Sequence, residues 1–204
     1  MPQQESPITL QTYVVNEQGA CMSQIQIAVI VGSLRKESIN RQLANAIAKM
    51  APADVVFREI GIGDLPLYNQ DADGNEASVV QEFRSAIRAA DAVLFITPGY
   101  NRSLPGVLKN ALDQGSRPYG QSVWDGKPAA VMGMSVGVIG TAAAQQHLRN
   151  VLAYLNMPTL GQPEMFLQFK EGFFKEDGTV GDQSHAYIQQ FVDQLVEWIR
   201  QHQS

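Results

Sequence analysis

Ile25-Gln26-Ile27-Ala28-Val29-Ile30-Val31-Gly32-Ser33-Leu34-Arg35-Lys36-Glu37-Ser38-Ile39-Asn40 is the stretch on which the fold turns. Its first seven residues form a short, largely β-branched run, which reads as a buried strand closed by Gly32. Residues 39–50 then place Leu43, Ala44, Ile47, Ala48 and Met50 at helical spacing, and Pro52 stops the helix. The alternation repeats down the chain. Strands are expected at 55–60, 92–97 and 129–134, and a fifth within 159–169. Helices are expected at 76–90, at 105–116 with Pro105 in the first turn, at 141–155 and at 184–202. A loop rich in Gly, Asp and Pro fills 61–74, and a polar linker fills 170–182. Five strands alternating with helices imply an α/β protein, a doubly wound parallel sheet with helices on both faces.

The composition suits one globular domain of 204 residues, with 45% apolar and 17% charged side chains. Fifteen basic and 20 acidic residues give a net charge of −5, which disfavours non-specific nucleic-acid binding. A single cysteine, Cys21, excludes an intramolecular disulfide framework and a Cys-built zinc site. No apolar run approaches the ~20 residues that span a bilayer. The stretch 1–19 has no basic residue and no long apolar core, unlike a secretory leader. The expectation is a soluble, cytoplasmic protein. Periodicity begins only at Ile25, so residues 1–24 read as an N-terminal extension, flexible or pinned to a partner chain. Residues 25–202 read as the functional domain.

In open parallel sheets the ligand lies beyond the carboxyl ends of the strands, where the strand order reverses. For the order 2-1-3-4-5 that point falls between strands 1 and 3. The loop after strand 1 joins a strand end to a helix start, where backbone N–H groups and the helix dipole favour an anion. Ser33, Ser38 and Asn40 add neutral donors, and Arg35 adds a charged fork suited to phosphate. A capped helix N-terminus with solvated charges would use the same residue types. The loop after strand 3 is Thr97-Pro98-Gly99-Tyr100-Asn101-Arg102-Ser103-Leu104-Pro105-Gly106. Pro98 and Gly99 fix a turn, Tyr100 offers a flat face, and Asn101 can bond a polar edge. These suit a planar heteroaromatic with imide-like groups; a rigid turn around a buried Tyr is the other reading. The loop after strand 4, Met134-Ser135-Val136-Gly137-Val138-Ile139-Gly140-Thr141, has glycines that permit close backbone approach.

Familiar nucleotide motifs fail. Gly61 and Gly63 meet Pro66 where a dinucleotide fingerprint needs its third glycine. Gly126-Lys127 lacks the preceding glycine of a triphosphate loop, and Pro128 replaces its Ser/Thr. No two histidines share metal-ligand spacing, so no metal is expected. His147 reads as structural or solvated. Trp124 reads as a packing residue that could instead shape an acceptor pocket.

Taken together, the loops resemble the NADPH-dependent FMN reductase family, in its soluble quinone and chromate reductase branch. The resemblance is carried by residues 32–38 with Asn40-Arg41, and by Asp64-Leu65-Pro66-Leu67-Tyr68-Asn69. It is carried further by Thr97-Pro98, Tyr100-Asn101-Arg102-Ser103, Pro105-Gly106, Leu108-Lys109-Asn110-Ala111, Asp113 and Ser116-Arg117-Pro118-Tyr119-Gly120. It implies a flavodoxin-like fold holding FMN non-covalently. Ser33, Arg35, Ser38 and Asn40 would hold the phosphate. Pro98, Gly99, Tyr100, Asn101 and Ser103 would line the isoalloxazine, and Ser135 and Gly137 would sit at its pyrimidine edge. Family members of this branch usually carry Glu where this chain has Gly99, so a carboxylate is missing beside the flavin. Loop 4 also departs, with Gly140-Thr141 where a more glycine-rich run is usual. A homodimer or homotetramer is implied, with 117–119 near the interface.

The implied activity passes electrons from NADPH or NADH through FMN to a small acceptor: a quinone, chromate, an azo compound or free flavin. The cofactor carries that chemistry, so no catalytic acid–base residue is assigned. A non-enzymatic electron carrier of the flavodoxin type is the alternative. Arg35, Lys36 and a net charge of only −5 argue against it.

Overall fold

The computed structural model describes residues 14–15, 21–22 and 24–203. Five parallel strands form one sheet: β1 (Ile25–Val31), β2 (Val55–Glu59), β3 (Ala92–Ile96), β4 (Ala129–Ser135) and β5 (Met165–Gln168). Their order is β2-β1-β3-β4-β5, so the chain reverses direction across the sheet between β1 and β3, as expected. The register aligns Ile25 with Val55, Val31 with Ile96, Ile96 with Met132 and Met134 with Leu167. Four helices cross between the strands, α1 (Ile39–Ala48), α2 (Ser78–Ala89), α3 (Gly106–Gly115) and α4 (Ala142–Tyr154), and α5 (Asp182–His202) follows β5.

Side-chain alternation along β1 divides the interior into two cores. Ile25, Ile27, Val29 and Val31 pack toward α1 and α5, against Leu43, Ile47, Ile188, Phe191 and Leu195. Ala28 and Ile30 pack toward α2, α3 and α4, against Phe83, Ile87, Leu108, Leu112 and Leu148. A central strand buried on both faces must be apolar throughout, which is why the runs read so clearly in the sequence. Trp124 is fully buried in the second core, with ring centroids 6.0 Å from Phe83 and from Phe95. Its Nε1 donates to the Leu112 carbonyl at 2.9 Å, so it packs and shapes no acceptor pocket.

Element ends differ from the periodicity by at most two residues. Pro105 is the N-cap of α3, with φ −61° and ψ 145°, and does not lie in the first turn. A short 3₁₀ turn, Gln70–Ala72, interrupts the loop after β2. The fifth strand occupies only Met165–Gln168 of the stretch in which it was expected. The N-terminal extension lies mostly outside the described residues. Within it, Val14–Val15 and Cys21–Met22 pair antiparallel, a contact that periodicity does not reveal.

Candidate functional site

Because all five strands are parallel, the loops after β1, β3 and β4 emerge on one edge of the sheet, side by side. Gly32 at the end of β1 lies against loop 3: a Cβ there would sit 3.1 Å from Thr97 Oγ1 and 3.3 Å from Pro98 Cδ. Loops 1 and 4 are joined through Asn40 and Met134. Loop 3 is joined to α4 by the 2.9 Å contact of Ser103 Oγ with His147 Nδ1. The predicted residues of all three loops therefore gather at one place.

Loop 1 is organised from the helix that follows it. The Arg41 guanidinium donates to the carbonyls of Arg35 (3.2 Å) and Ser33 (3.4 Å), while its Nε is 2.9 Å from Glu59. Held this way, two loop carbonyls turn toward Arg41. Among the described residues, no protein acceptor takes the backbone N–H groups of residues 33–37. Ser38 caps α1, its Oγ accepting from the Arg41 N–H at 3.3 Å. Arg35 is exposed, with no side-chain partner among the described residues. Unclaimed N–H donors at a helix start, with a guanidinium beside them, match the chemistry of a phosphate. In the sequence Arg41 is one residue of a motif; its service to the loop carbonyls has no local signature.

Loop 3 closes as a two-residue hairpin. Tyr100 and Ser103 exchange N–H···O bonds of 2.9 and 3.0 Å. Asn101 and Arg102 between them have φ of 50° and 68°, the type I′ pattern usually written Asn-Gly. Pro98 is buried, whereas Gly99, Tyr100, Asn101 and Arg102 are exposed. Tyr100 retains 46% of its surface and presents a ring to solvent, contrary to the buried-Tyr reading. At Gly99 a Cβ would lie 3.6 Å from that of Ala144, so a larger residue has room and the glycine is not enforced by packing.

Loop 4 folds on its own hydroxyl. Ser135 Oγ donates to the Gly140 carbonyl at 2.7 Å and accepts from the Gly137 N–H at 3.2 Å. Val136, Val138 and Ile139 stand exposed at its crest. The loop after β2 contributes Tyr68, whose N–H donates to Asn110 Oδ1 at 2.8 Å. Desolvation and the nearby Asp73 carboxylate push the Tyr68 phenol upward, against the opposing charge of Arg117. Among the described residues, no group of three or more His, Cys, Asp or Glu is placed to hold a metal ion.

An α/β sheet of this order with its loops so arranged defines the flavodoxin-like class. The sequence profile of NADPH-dependent FMN reductases matches residues 25–172, and the chain belongs to that family. A 2-hydroxy-1,4-benzoquinone reductase of Burkholderia sp is 51% identical over 177 residues, covering 86% of this chain and 97% of that protein. A quinone reductase of Pseudomonas putida is 47% identical, covering 88% and 97%. The solved structure of FerB, a flavoenzyme NAD(P)H:(acceptor) oxidoreductase from Paracoccus denitrificans, aligns with a TM-score of 0.84 at 45% identity, over 87% and 98% of the two chains. The protein is thus an oxidoreductase of the FMN- and NAD(P)H-using kind, not a carrier.

Proposed function

We propose that this chain is a quinone reductase that takes electrons from NADPH or NADH and delivers them to small quinones, with FMN held at the edge formed by loops 1, 3 and 4. The observation that carries the reading is loop 1: the five backbone N–H groups of residues 33–37, without protein acceptors among the described residues, beside Arg35 and one loop away from an exposed aromatic turn. Bound FMN supplies the two-electron chemistry between nicotinamide and acceptor. The chain supplies the grip. Ser33, Arg35 and Ser38 hold the phosphate; charge-assisted bonds of about 1.5–3 kcal/mol each suffice for a dianion. Pro98, Gly99, Tyr100, Asn101 and Ser103 flank the ring, and Ser135 and Gly137 meet its pyrimidine edge. The relatives' names favour quinones over chromate, azo compounds or free flavin.

The working unit is residues 25–202, with 1–24 appended, in a cytoplasmic homodimer or homotetramer. No helix among the described residues is long and apolar enough to cross a membrane. Tyr119 and Tyr154, 87% and 86% exposed, flank a cleft with Arg117 at the far ends of α3 and α4. Large exposed aromatics in that setting support a subunit contact there.

The test is an absorbance spectrum of the purified protein, then anaerobic titration with NADPH and NADH and turnover with a benzoquinone. Yellow protein that bleaches and turns over without a partner protein is the expected result. Colourless protein that takes up no FMN would overturn the assignment.

A further inference from the structure

We propose that Asn40 is a positioning residue that couples the phosphate end of the site to its ring end, and not a ligand of the phosphate. The inference rests on the flavin reading above and reassigns one residue within it. Asn40 is the second residue of α1 and is 2% exposed. Its Nδ2 donates to the Met134 carbonyl at 3.0 Å, and its Oδ1 accepts from the Met134 N–H at 2.9 Å.

The sheet explains why Met134 needs this partner. Even-numbered residues of β4 turn their backbone groups toward β3: the Pro128 carbonyl takes the Val93 N–H, and the Met132 carbonyl takes the Thr97 N–H. β3 ends at Ile96, opposite Met132, while β4 continues to Ser135. Met134 therefore faces the side of β3 at a level that β3 does not reach. Asn40 stands where the next strand residue would, offering one donor and one acceptor. A buried donor or acceptor left orphaned there would destabilise the loop root.

The neighbours give the clamp its consequence. On one side, Arg41 holds the loop-1 carbonyls of Ser33 and Arg35. On the other, Ser135 follows Met134 directly and folds loop 4 through Gly137 and Gly140. The first turn of α1 thus fixes the phosphate loop and the root of loop 4 together. The Asn40 oxygen and one amide hydrogen are engaged by β4, which turns the amide away from an anion in loop 1.

Riboflavin, the same ring without the phosphate, separates the two roles. Binding of FMN and of riboflavin to wild type and Asn40→Ala is measured by fluorescence quenching, and amide exchange is followed in the flavin-free protein. Coupling predicts that both affinities fall by a similar factor, about tenfold. It also predicts a shifted visible band for the bound flavin and faster exchange at Met134 and Gly137. Loss of FMN affinity alone, with riboflavin unaffected, would show a direct phosphate ligand and overturn the proposal. So would a lowered Tm with both affinities and loop-4 exchange unchanged. Should Asn40→Ala not fold, Asn40→Ser, neutral but too short to bridge both Met134 groups, carries the same comparison. Wild-type protein that binds neither flavin rejects the flavin reading, and the exchange arm then decides the coupling by itself.

Discussion

Arg102 is held in a backbone conformation that its side chain disfavours, at φ 68° on the tip of loop 3. A non-glycine residue there costs roughly 1–2 kcal/mol, and glycine would return part of that in unfolded-state entropy. Its guanidinium is exposed, with no partner among the described residues. Strain kept at the rim of a ligand site points to use, and an anionic co-substrate is the matching use. Arg102→Gly is therefore expected to raise stability by about 0.5–1 kcal/mol in thermal unfolding. The KM for NADPH should rise by up to about fivefold, the range of an exposed charge pair. Lower stability with unchanged KM would count against both halves. At this scale the sequence shows residue types well and their partners poorly. Ser33, Arg35 and Ser38 suit an anion by chemistry, as they would also suit a helix cap. Asn40 looks like one more donor, because its partner is 94 residues away in the chain. Arg41 looks like an ordinary helix residue until the loop carbonyls are seen to converge on it.

Among the elements, β4 is the most constrained. At Gly133 a Cβ would fall 2.0 Å from the Thr97 carbonyl oxygen and 2.4 Å from Thr141 Oγ1. Backbone stands on one side and the start of α4 on the other, so neither can yield cheaply. Gly133→Ala is expected to lose at least about 3 kcal/mol in urea unfolding, beyond ordinary overpacking. A variant with near wild-type midpoint would mean that loop 3 can move away from β4. The strands themselves are legible because burial on both faces demands unbroken apolar runs. β5 is short, half-exposed on alternate residues, and so could be placed only within a window. Helix ends shift by a residue or two because capping depends on backbone angles, as Pro105 shows.

For the molecule as a whole, the net charge of −5 hides a cationic mouth. Arg35, Lys36 and Arg102 are all exposed on the loops that define the site. Screening shortens from about 10 Å at 0.1 M salt to about 3 Å at 1 M. kcat/KM for NADPH should therefore fall several-fold over that range, while that for an uncharged quinone changes by less than about twofold. Equal responses for the two substrates would remove the steering role.

The division into two cores also sets how the protein can change. Loop 1 is anchored by α1 on one side of the sheet, whereas loops 3 and 4 lead into α3 and α4 on the other. Substitutions that reshape the acceptor side can accumulate in one interior while the half proposed to grip the cofactor's tail stays untouched. A lineage of such enzymes could diversify its oxidants without re-evolving its hold on the flavin, provided that the Asn40 amide bridging the two halves is retained.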